Sequence, residues 1–254
     1  TGKTSIAIEI KKLLDEQNIK SCFIKKDYIN QIDEQRLLEN YGKIFVEKSR
    51  IKALKKASSE NYKIAIFDDG LQDKDISYDL MFVCFNKKNF IGNGRIIPAG
   101  PLREPLKKIE KYKNIFLNGN DEDSKDLEKI LNQIYFHLNF FESKYDPLNL
   151  DQFNLDRKYV VFSGIGNHQT FIDMLKKNNF KIIQDFEFSD HYKYFQRDIE
   201  KIVKFASENN AEILTTEKDY LRLCDELKNG INYIKINLKI SEKEKLKKKL
   251  IELI

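Results

Sequence analysis

The sequence predicts an α/β protein: a P-loop kinase-type domain with a mostly parallel sheet, followed by a second, smaller α/β domain. Three observations carry this expectation. Short apolar runs alternate with stretches of helical periodicity along nearly the whole chain, the pattern of strands joined by crossover helices. Two of those runs, KIAIF (63–67) and DLMFVCF (79–85), are almost continuously apolar, as parallel strands covered on both faces are. The chain also opens on TGKT, directly before a helical run, which matches the last positions of the phosphate loop G-x-x-x-x-G-K-[ST].

In chain order, residues 5–17 place Ile6, Ile10, Leu13 and Leu14 on one helical face. SCFI (21–24) reads as a strand, RLLEN as a helix, KIFV (43–46) as a strand and RIKALKKASSE as a helix. KIAIF and DLMFVCF are expected to be central strands, with NIFLN (114–118) as another. A helix around 126–134 precedes strand-like IYFHLNFF, where His137 reads as a structural residue. The polar stretch SKYDPLNLDQFNLDRK holds Pro147 and no periodicity, so the boundary falls there, giving domains 1–147 and 148–254, the second closing over the cleft.

The second domain repeats the alternation. YVVFSGIGN is a strand and a tight turn, with His168 placed to cap the helix QTFIDMLKKN. A dinucleotide fingerprint would need a third glycine. FKIIQDFEF, EILTT and YIKINL read as one strand each, and DIEKIVKFASENN as a helix. Glu217, Lys218 and Asp219 read as a solvated helix start capped by Thr215 or Thr216. The closing KEKLKKKL run reads as a solvated face, with a surface for anionic lipid as the other reading.

Composition bounds the function. The 45 basic residues exceed the 40 acidic ones by a net charge of +5, which suits an anionic ligand or membrane surface. The excess is too diffuse for nucleic acid. Cys22, Cys84 and Cys224 are odd in number and far apart, so they read as reduced thiols. No run of 18 apolar residues is present to span a bilayer.

Three stretches carry chemistry. Thr1, Gly2, Lys3 and Thr4 supply the end of a phosphate loop, with the lysine for the β/γ-phosphates and the hydroxyl for Mg²⁺. The first half of that loop is expected before Thr1. KIAIFDDG places Asp68 and Asp69 at the carboxyl end of a strand, where open α/β sheets bind ligands. A plain Asp-Gly turn is the alternative; with TGKT upstream, a nucleotide–Mg²⁺ site is the preferred reading. GNGRIIPAGPLREP (92–105) has three Gly and three Pro in fourteen residues, so it must be a shaped loop. Its Arg95 and Arg103 either grip phosphate or carboxylate or are simply solvated.

IFDDGLQ followed by GNGRIIPAGPLREP resembles the tetraacyldisaccharide 4′-kinases, the lipid A 4′-kinases of Gram-negative bacteria. TGKT, IDEQRLL (32–38), FSGIGN (162–167), FSDHYKY (188–194) and TTEKDYLRL (215–223) match in the same order, across both domains. The resemblance implies transfer of the ATP γ-phosphate to the 4′-hydroxyl of a tetraacylated glucosamine disaccharide 1-phosphate, with Mg²⁺. It implies a monomer, peripheral at the cytoplasmic face of the bacterial inner membrane, whose partners are the lipid substrate and the membrane surface. Lys3 and Thr4 would bind phosphates and metal; Asp68 and Asp69 would organise the metal, supported by Gln72. Asp33 would sit near the acceptor hydroxyl with His191 as its partner from the other domain. Arg103 and Glu104 would lie at the sugar side. A carboxylate backed by an imidazole can orient a hydroxyl and accept its proton. Phosphoryl transfer is mostly positioning and charge stabilisation, so such a base need not be strong. Three positions depart from the family: Asp73 stands where His is common, Ile32 where Gly is usual and Ser189 where Pro is frequent. Two further readings remain, a P-loop kinase of another small acceptor and a nucleotide-binding switch; the switch would need no Asp33–His191 pair.

Overall fold

The computed structural model describes residues 2–27, 32–119, 125–135 and 137–253, with the side chains at 32 and 125–127 left aside. Packing divides the chain into two units: Thr1–Lys26, Tyr41–Tyr145 and Leu238–Ile254 form the first, Asp27–Asn40 and Asp146–Asn237 the second.

In the first unit, helix α1 (Lys3–Glu16) buries Ile6, Ala7, Ile10, Leu13 and Leu14, the three-and-four spacing of one helical face. Strand β1 (Ser21–Lys26) pairs in parallel with β2 (Ile44–Glu47) and β3 (Ile64–Phe67), in the order β2-β1-β3. Helix α3 (Arg50–Ser59) presents Ala53 and Ala57 to Cys22, Ile24 and Phe45; small residues there let helix and sheet approach closely. Helix α2 (Ile32–Glu39) follows β1 in the chain but belongs to the second unit.

A second sheet, in this unit apart from the last two residues of β6 and the first two of β11, has the order β11-β6-β5-β4, from β4 (Phe82–Asn86), β5 (Asn114–Asn118), β6 (Asn139–Pro147) and β11 (Ile236–Ile240). β5 is buried along its whole length. Phe116 lies 5.2 Å from both Phe82 and Phe141 on one face, ring centre to ring centre. Ile115 and Leu117 pack on the other face against Ile109 of α4 (Ile109–Tyr112) and Leu131 of α5 (Lys125–Ile134).

The second unit holds β7 (Lys158–Ser163), β8 (Lys181–Glu187), β9 (Ala211–Thr216) and β10 (Ile231–Ile234), parallel in the order β10-β9-β7-β8. β7 shows why a doubly covered strand reads as a continuous apolar run. Tyr159 and Val161 face Phe171 and Leu175 of α6 (His168–Lys177), while Val160 and Phe162 face Ile199 and Ile202 of α7 (Gln196–Glu208). A short α8 (Glu217–Arg222) follows β9. The closing α9 (Lys243–Ile251) returns to the first unit, burying Leu246 and Leu250 and leaving most of its lysines exposed, and it packs on α1.

Four expectations need correction. β3 and β4, expected at sheet centres, each end a sheet; apolarity reports coverage of the faces, which an edge strand can also have. YIKINL is two strands that part at Lys235, β10 in one unit's sheet and β11 in the other's. IYFHLNFF is not one strand: α5 runs to Ile134, β6 begins at Asn139, and His137 is exposed at φ 62 between them. No single cut at 147/148 describes the packing, because residues 27–40 join the second unit and 238–254 the first.

The aromatic layer around β5 gives a direct test. Phe116→Ala should lower the stability of the first unit by about 3–5 kcal/mol, the usual range for emptying a buried phenylalanine site. Urea unfolding measures it; an unchanged midpoint would contradict a fully packed central strand.

Candidate active site

The TGKT and FDDG segments lie in the first unit. Gly2 sits at φ 78, and a Cβ there would fall 2.6 Å from Tyr145 Oη and 2.8 Å from the Asn118 amide, so a glycine is required on both counts. α1 starts at the next residue. Lys3 Nζ donates to Asp69 Oδ1 at 2.6 Å, and Thr4 Oγ1 donates to Asp68 Oδ2 at 3.2 Å. Lys25 Nζ reaches the same Asp68 oxygen at 2.8 Å, with both side chains 1% exposed. Asp69, at φ 58, also accepts from Arg103 Nη1 at 2.8 and 3.0 Å on its two oxygens. The same Arg103 nitrogen lies 3.2 Å from Gln72 Oε1. Burial alone would raise the Asp69 carboxyl; the hydrogen bonds and charges of Lys3 and Arg103 outweigh it and hold the group below its ordinary value.

Lys3, Thr4, Asp68, Asp69, Gln72 and Arg103 therefore converge. Thr1 lies outside the described residues. Glu104 has other partners, accepting from Tyr112 Oη at 2.6 Å and pairing with Lys108 at 3.5 Å. Arg95 is exposed, and its carbonyl helps close the 92–105 loop by accepting from the Leu102 N–H. Asp73, a departure from the family, faces Arg50 Nη1 at 3.4 Å, and Arg50 Nη2 donates to the Asp69 carbonyl at 2.8 Å.

Sequence reasoning missed Lys25 and Arg50. The register explains Lys25: β1 pairs Ile24 with Phe67 of β3, so the residue after Ile24 stands beside the first aspartate after Phe67.

Mg²⁺ takes one or two carboxylates and completes its shell with water and substrate phosphates. Asp68 Oδ1 is buried without a hydrogen-bond partner, beside the Thr4 hydroxyl on Oδ2. Among the described residues no three His, Cys, Asp or Glu gather as a metal cluster, and a phosphate-bound Mg²⁺ needs none. The donor set fits that ion.

The second unit carries a different cluster. Asp33, 3% exposed in the first turn of α2, accepts on Oδ2 from Arg222 Nε at 3.0 Å and Nη2 at 2.8 Å. Its Oδ1 faces His191 Nδ1 at 3.6 Å, within reach of charge but beyond a hydrogen bond, and that nitrogen is buried and unpartnered. The Asp33 carboxylate, against the effect of burial, raises the imidazole above its ordinary value, and Asp190 and Glu34 add to it. Burial pushes the Asp33 carboxyl up, but His191, Arg222 and Lys218 together hold it down. The two residues, expected in different domains, belong to one unit.

The TTEKD segment is not a solvated helix start. Thr216 caps α8 as expected, but Asp219 is fully buried, accepting from Thr216 Oγ1, Tyr194 Oη, Gly164 N–H and Arg222 Nη1. Lys218 pairs with Glu34 at 2.9 Å. His168 is not the cap of α6; Asn167 is, and His168 bridges Ser163 Oγ at 2.6 Å and Asp185 Oδ2 at 2.9 Å.

The model of the tetraacyldisaccharide-1-P 4′-kinase family matches residues 1–254. The chain belongs to that family. It is 52% identical over 253 residues to the tetraacyldisaccharide 4′-kinase of Pelagibacter ubique (strain HTCC1062), covering 100% of this chain and 81% of the relative. It is 32% identical over 271 residues to the protein of that name from Rickettsia canadensis (strain McKiel), covering 98% and 80%. A crystal structure of LpxK from Aquifex aeolicus in complex with ATP aligns at a TM-score of 0.72 and 23% identity, over 100% of this chain and 84% of that one. The mixed α/β fold with mostly parallel sheets is thus the fold of this kinase family.

The pair in the second unit has a pH signature. His191 has a raised value when folded, so its pairing contributes stability that is full below the ordinary 6.5 and is lost as pH rises through the raised value. Asp33→Asn should remove that increment and lower the midpoint of the His191 imidazole in an NMR titration. An unmoved midpoint would show that the two groups do not interact.

Proposed function

We propose that the chain is an ATP- and Mg²⁺-dependent kinase that phosphorylates the 4′-hydroxyl of tetraacyldisaccharide 1-phosphate, a step of lipid A biosynthesis. The observation that carries the reading is the 3.6 Å approach of His191 to Asp33 in a chain that matches the family from end to end. A nucleotide switch has no use for an acceptor base.

The roles we assign fall into two sets. In the first, Thr1, Gly2 and Lys3 bind the nucleotide phosphates with support from Gln72, and Lys3 puts a positive charge on the transferring group. Thr4, Asp68 and Asp69 would hold Mg²⁺, which when bound would neutralise charge on the phosphates. In the second, Asp33 orients the acceptor hydroxyl and takes its proton, and the imidazole of His191 stabilises the carboxylate in that orientation. Arg103 and Glu104 serve the acceptor. The Arg103 side chain is half exposed, and its planar fork suits an anionic group of the sugar lipid.

No helix of the described residues is long and apolar enough to cross a membrane. A substrate with four acyl chains nevertheless brings its enzyme to a lipid surface, and we place the protein there as a peripheral monomer on the cytoplasmic face of the inner membrane. Nucleic acid is not among its partners.

The test is product formation. Incubated with MgATP and tetraacyldisaccharide 1-phosphate in detergent, the protein should yield a product heavier by one phosphate, and Lys3→Ala or Asp68→Asn should abolish it. Equal use of a soluble sugar or nucleotide without detergent would replace this reading with a small-acceptor kinase. Tight nucleotide binding with hydrolysis and no acceptor would favour the switch.

The base is tested separately. Asp33→Ala and His191→Ala should each lower kcat by roughly 10²–10⁴, the span of general acid–base catalysis. The double variant should cost little more than the worse single one, since groups that act as a unit are not additive. ATP binding should survive in all three. Fully additive losses would separate the two residues.

A further inference from the structure

We propose that Arg222, itself fixed by Asp219, is the positioning residue of the Asp33–His191 pair: it anchors one carboxylate oxygen of Asp33 and so presents the other to the imidazole. The proposal rests on the reading above that these two residues serve the acceptor hydroxyl.

The bonds are divided between the two oxygens. Both Arg222 contacts to Asp33, from Nε and Nη2, go to Oδ2, and Oδ1 is the atom facing His191. The third guanidinium nitrogen, Nη1, donates to the Gly164 carbonyl at 2.6 Å and to Asp219 Oδ1 at 2.8 Å. All three nitrogens are engaged on a side chain 8% exposed, so this rigid planar group cannot turn, and its plane sets the direction of the Asp33 carboxylate.

Gly164 joins the two halves of the pair. Its carbonyl accepts from Arg222 and also from the His191 N–H at 3.1 Å, while its own N–H donates to Asp219 Oδ1 at 3.0 Å. A Cβ at this position would lie 3.0 Å from both the Ser189 carbonyl and Tyr194 Oη, so a side chain would push the 189–194 segment away. The FSGIGN, FSDH and TTEKDYLR segments thus meet at one peptide unit, which registers His191 against Asp33.

A purely structural tether between α2 and α8 would not need Arg222. Lys218 already pairs with Glu34 at 2.9 Å, and Arg36 Nη1 donates to the Leu221 carbonyl at 2.9 Å. Among the described residues, Arg222 is the side chain of α8 that hydrogen-bonds the Asp33 carboxylate. Its charge acts there among six neighbouring groups: Lys218 is cationic, His191 is an imidazole raised above its ordinary value, Glu34, Asp190 and Asp219 are acids, and Tyr194 is a phenol. Losing the guanidinium removes a cation beside Asp33, so its carboxyl must move up, and the acid limb of the kcat profile with it.

The experiment uses the full chain with MgATP and tetraacyldisaccharide 1-phosphate, reading kcat against pH, KM for ATP, and the His191 imidazole by NMR. Arg222→Gln should lower kcat by roughly 10²-fold, the scale of a small misplacement of a reacting group, with KM for ATP unchanged. Its acid limb should rise by about one pH unit, the scale of one adjacent opposite charge. Arg222→Lys should restore the limb but not the rate, since a point charge cannot make the three-sided contact. Arg222→Gln leaves Asp219 buried without its cation, so Arg222→Gln with Asp219→Asn provides a version free of that mismatch. Folded variants that keep the wild-type limb, or that lose rate and ATP binding in parallel, would overturn the proposal. If the wild type does not phosphorylate this acceptor, the functional reading fails, and the imidazole still decides the positioning. In Arg222→Lys the charge is kept and only the anchor is lost, so the His191 midpoint should fall toward that of Asp33→Asn, and an unmoved midpoint refutes it.

Discussion

A carboxylate taken out of water must be met by a cation or by several donors, and the candidate site is built on that constraint. Asp68 and Lys25 are the clearest case, each with a side chain 1% exposed and 2.8 Å apart. Such a pair adds little net stability over a well-packed apolar alternative, but removing one partner costs about 3–5 kcal/mol, because the other is stranded. The pair is therefore better understood as specification than as glue. Lys25 and Thr4 together satisfy Oδ2 and leave Oδ1 buried and unpartnered, an arrangement that makes sense if a cation is to be received there.

The same logic recurs wherever parallel strands end. In the first unit, Lys25 lies at the carboxyl end of β1, with Asp68 and Asp69 directly after β3. In the second, Gly164 follows β7, Asp190 and His191 come soon after β8, and Thr216 ends β9 with Asp219 in the turn of helix after it. All strands of a parallel sheet point one way, so the loops after them gather at one edge, with chemistry drawn from segments far apart in sequence. Both units obey the rule separately.

That rule also decides what could be read in advance. TGKT before a helix and two aspartates after an apolar strand are local patterns, and the structure brings them together at 2.6 and 3.2 Å. The Thr216 cap and the GIGN turn are local too. Arg222 and Asp219 were not legible, because their meaning depends on partners as distant as Asp33, 189 residues away, and nothing local separates a buried acid from a solvated one at a helix start. YIKINL misled for a related reason: both halves are strand-forming, and only their pairing with different sheets divides them at Lys235. α2 misled most of all, since its amphipathic pattern fixes a helix but not which body it joins.

The carboxylates differ in one further respect that bears on turnover. Asp68 and Asp33 are locked, their partners Lys25 and Arg222 being almost wholly buried. Asp69 is not: its side chain is 24% exposed, and its partners Lys3 and Arg103 are 35% and 50% exposed. Ion pairs open to solvent are screened and contribute about 0–1 kcal/mol each, so exchanging them for other contacts is nearly free. Exchanging a buried pair would expose each ion to the full cost of desolvation without compensation. On the reading proposed above, substrate can therefore recruit Lys3 and Arg103 away from Asp69 at little expense, while Asp68 and Asp33 stay fixed. The division follows burial, and burial was set when the strands were laid side by side.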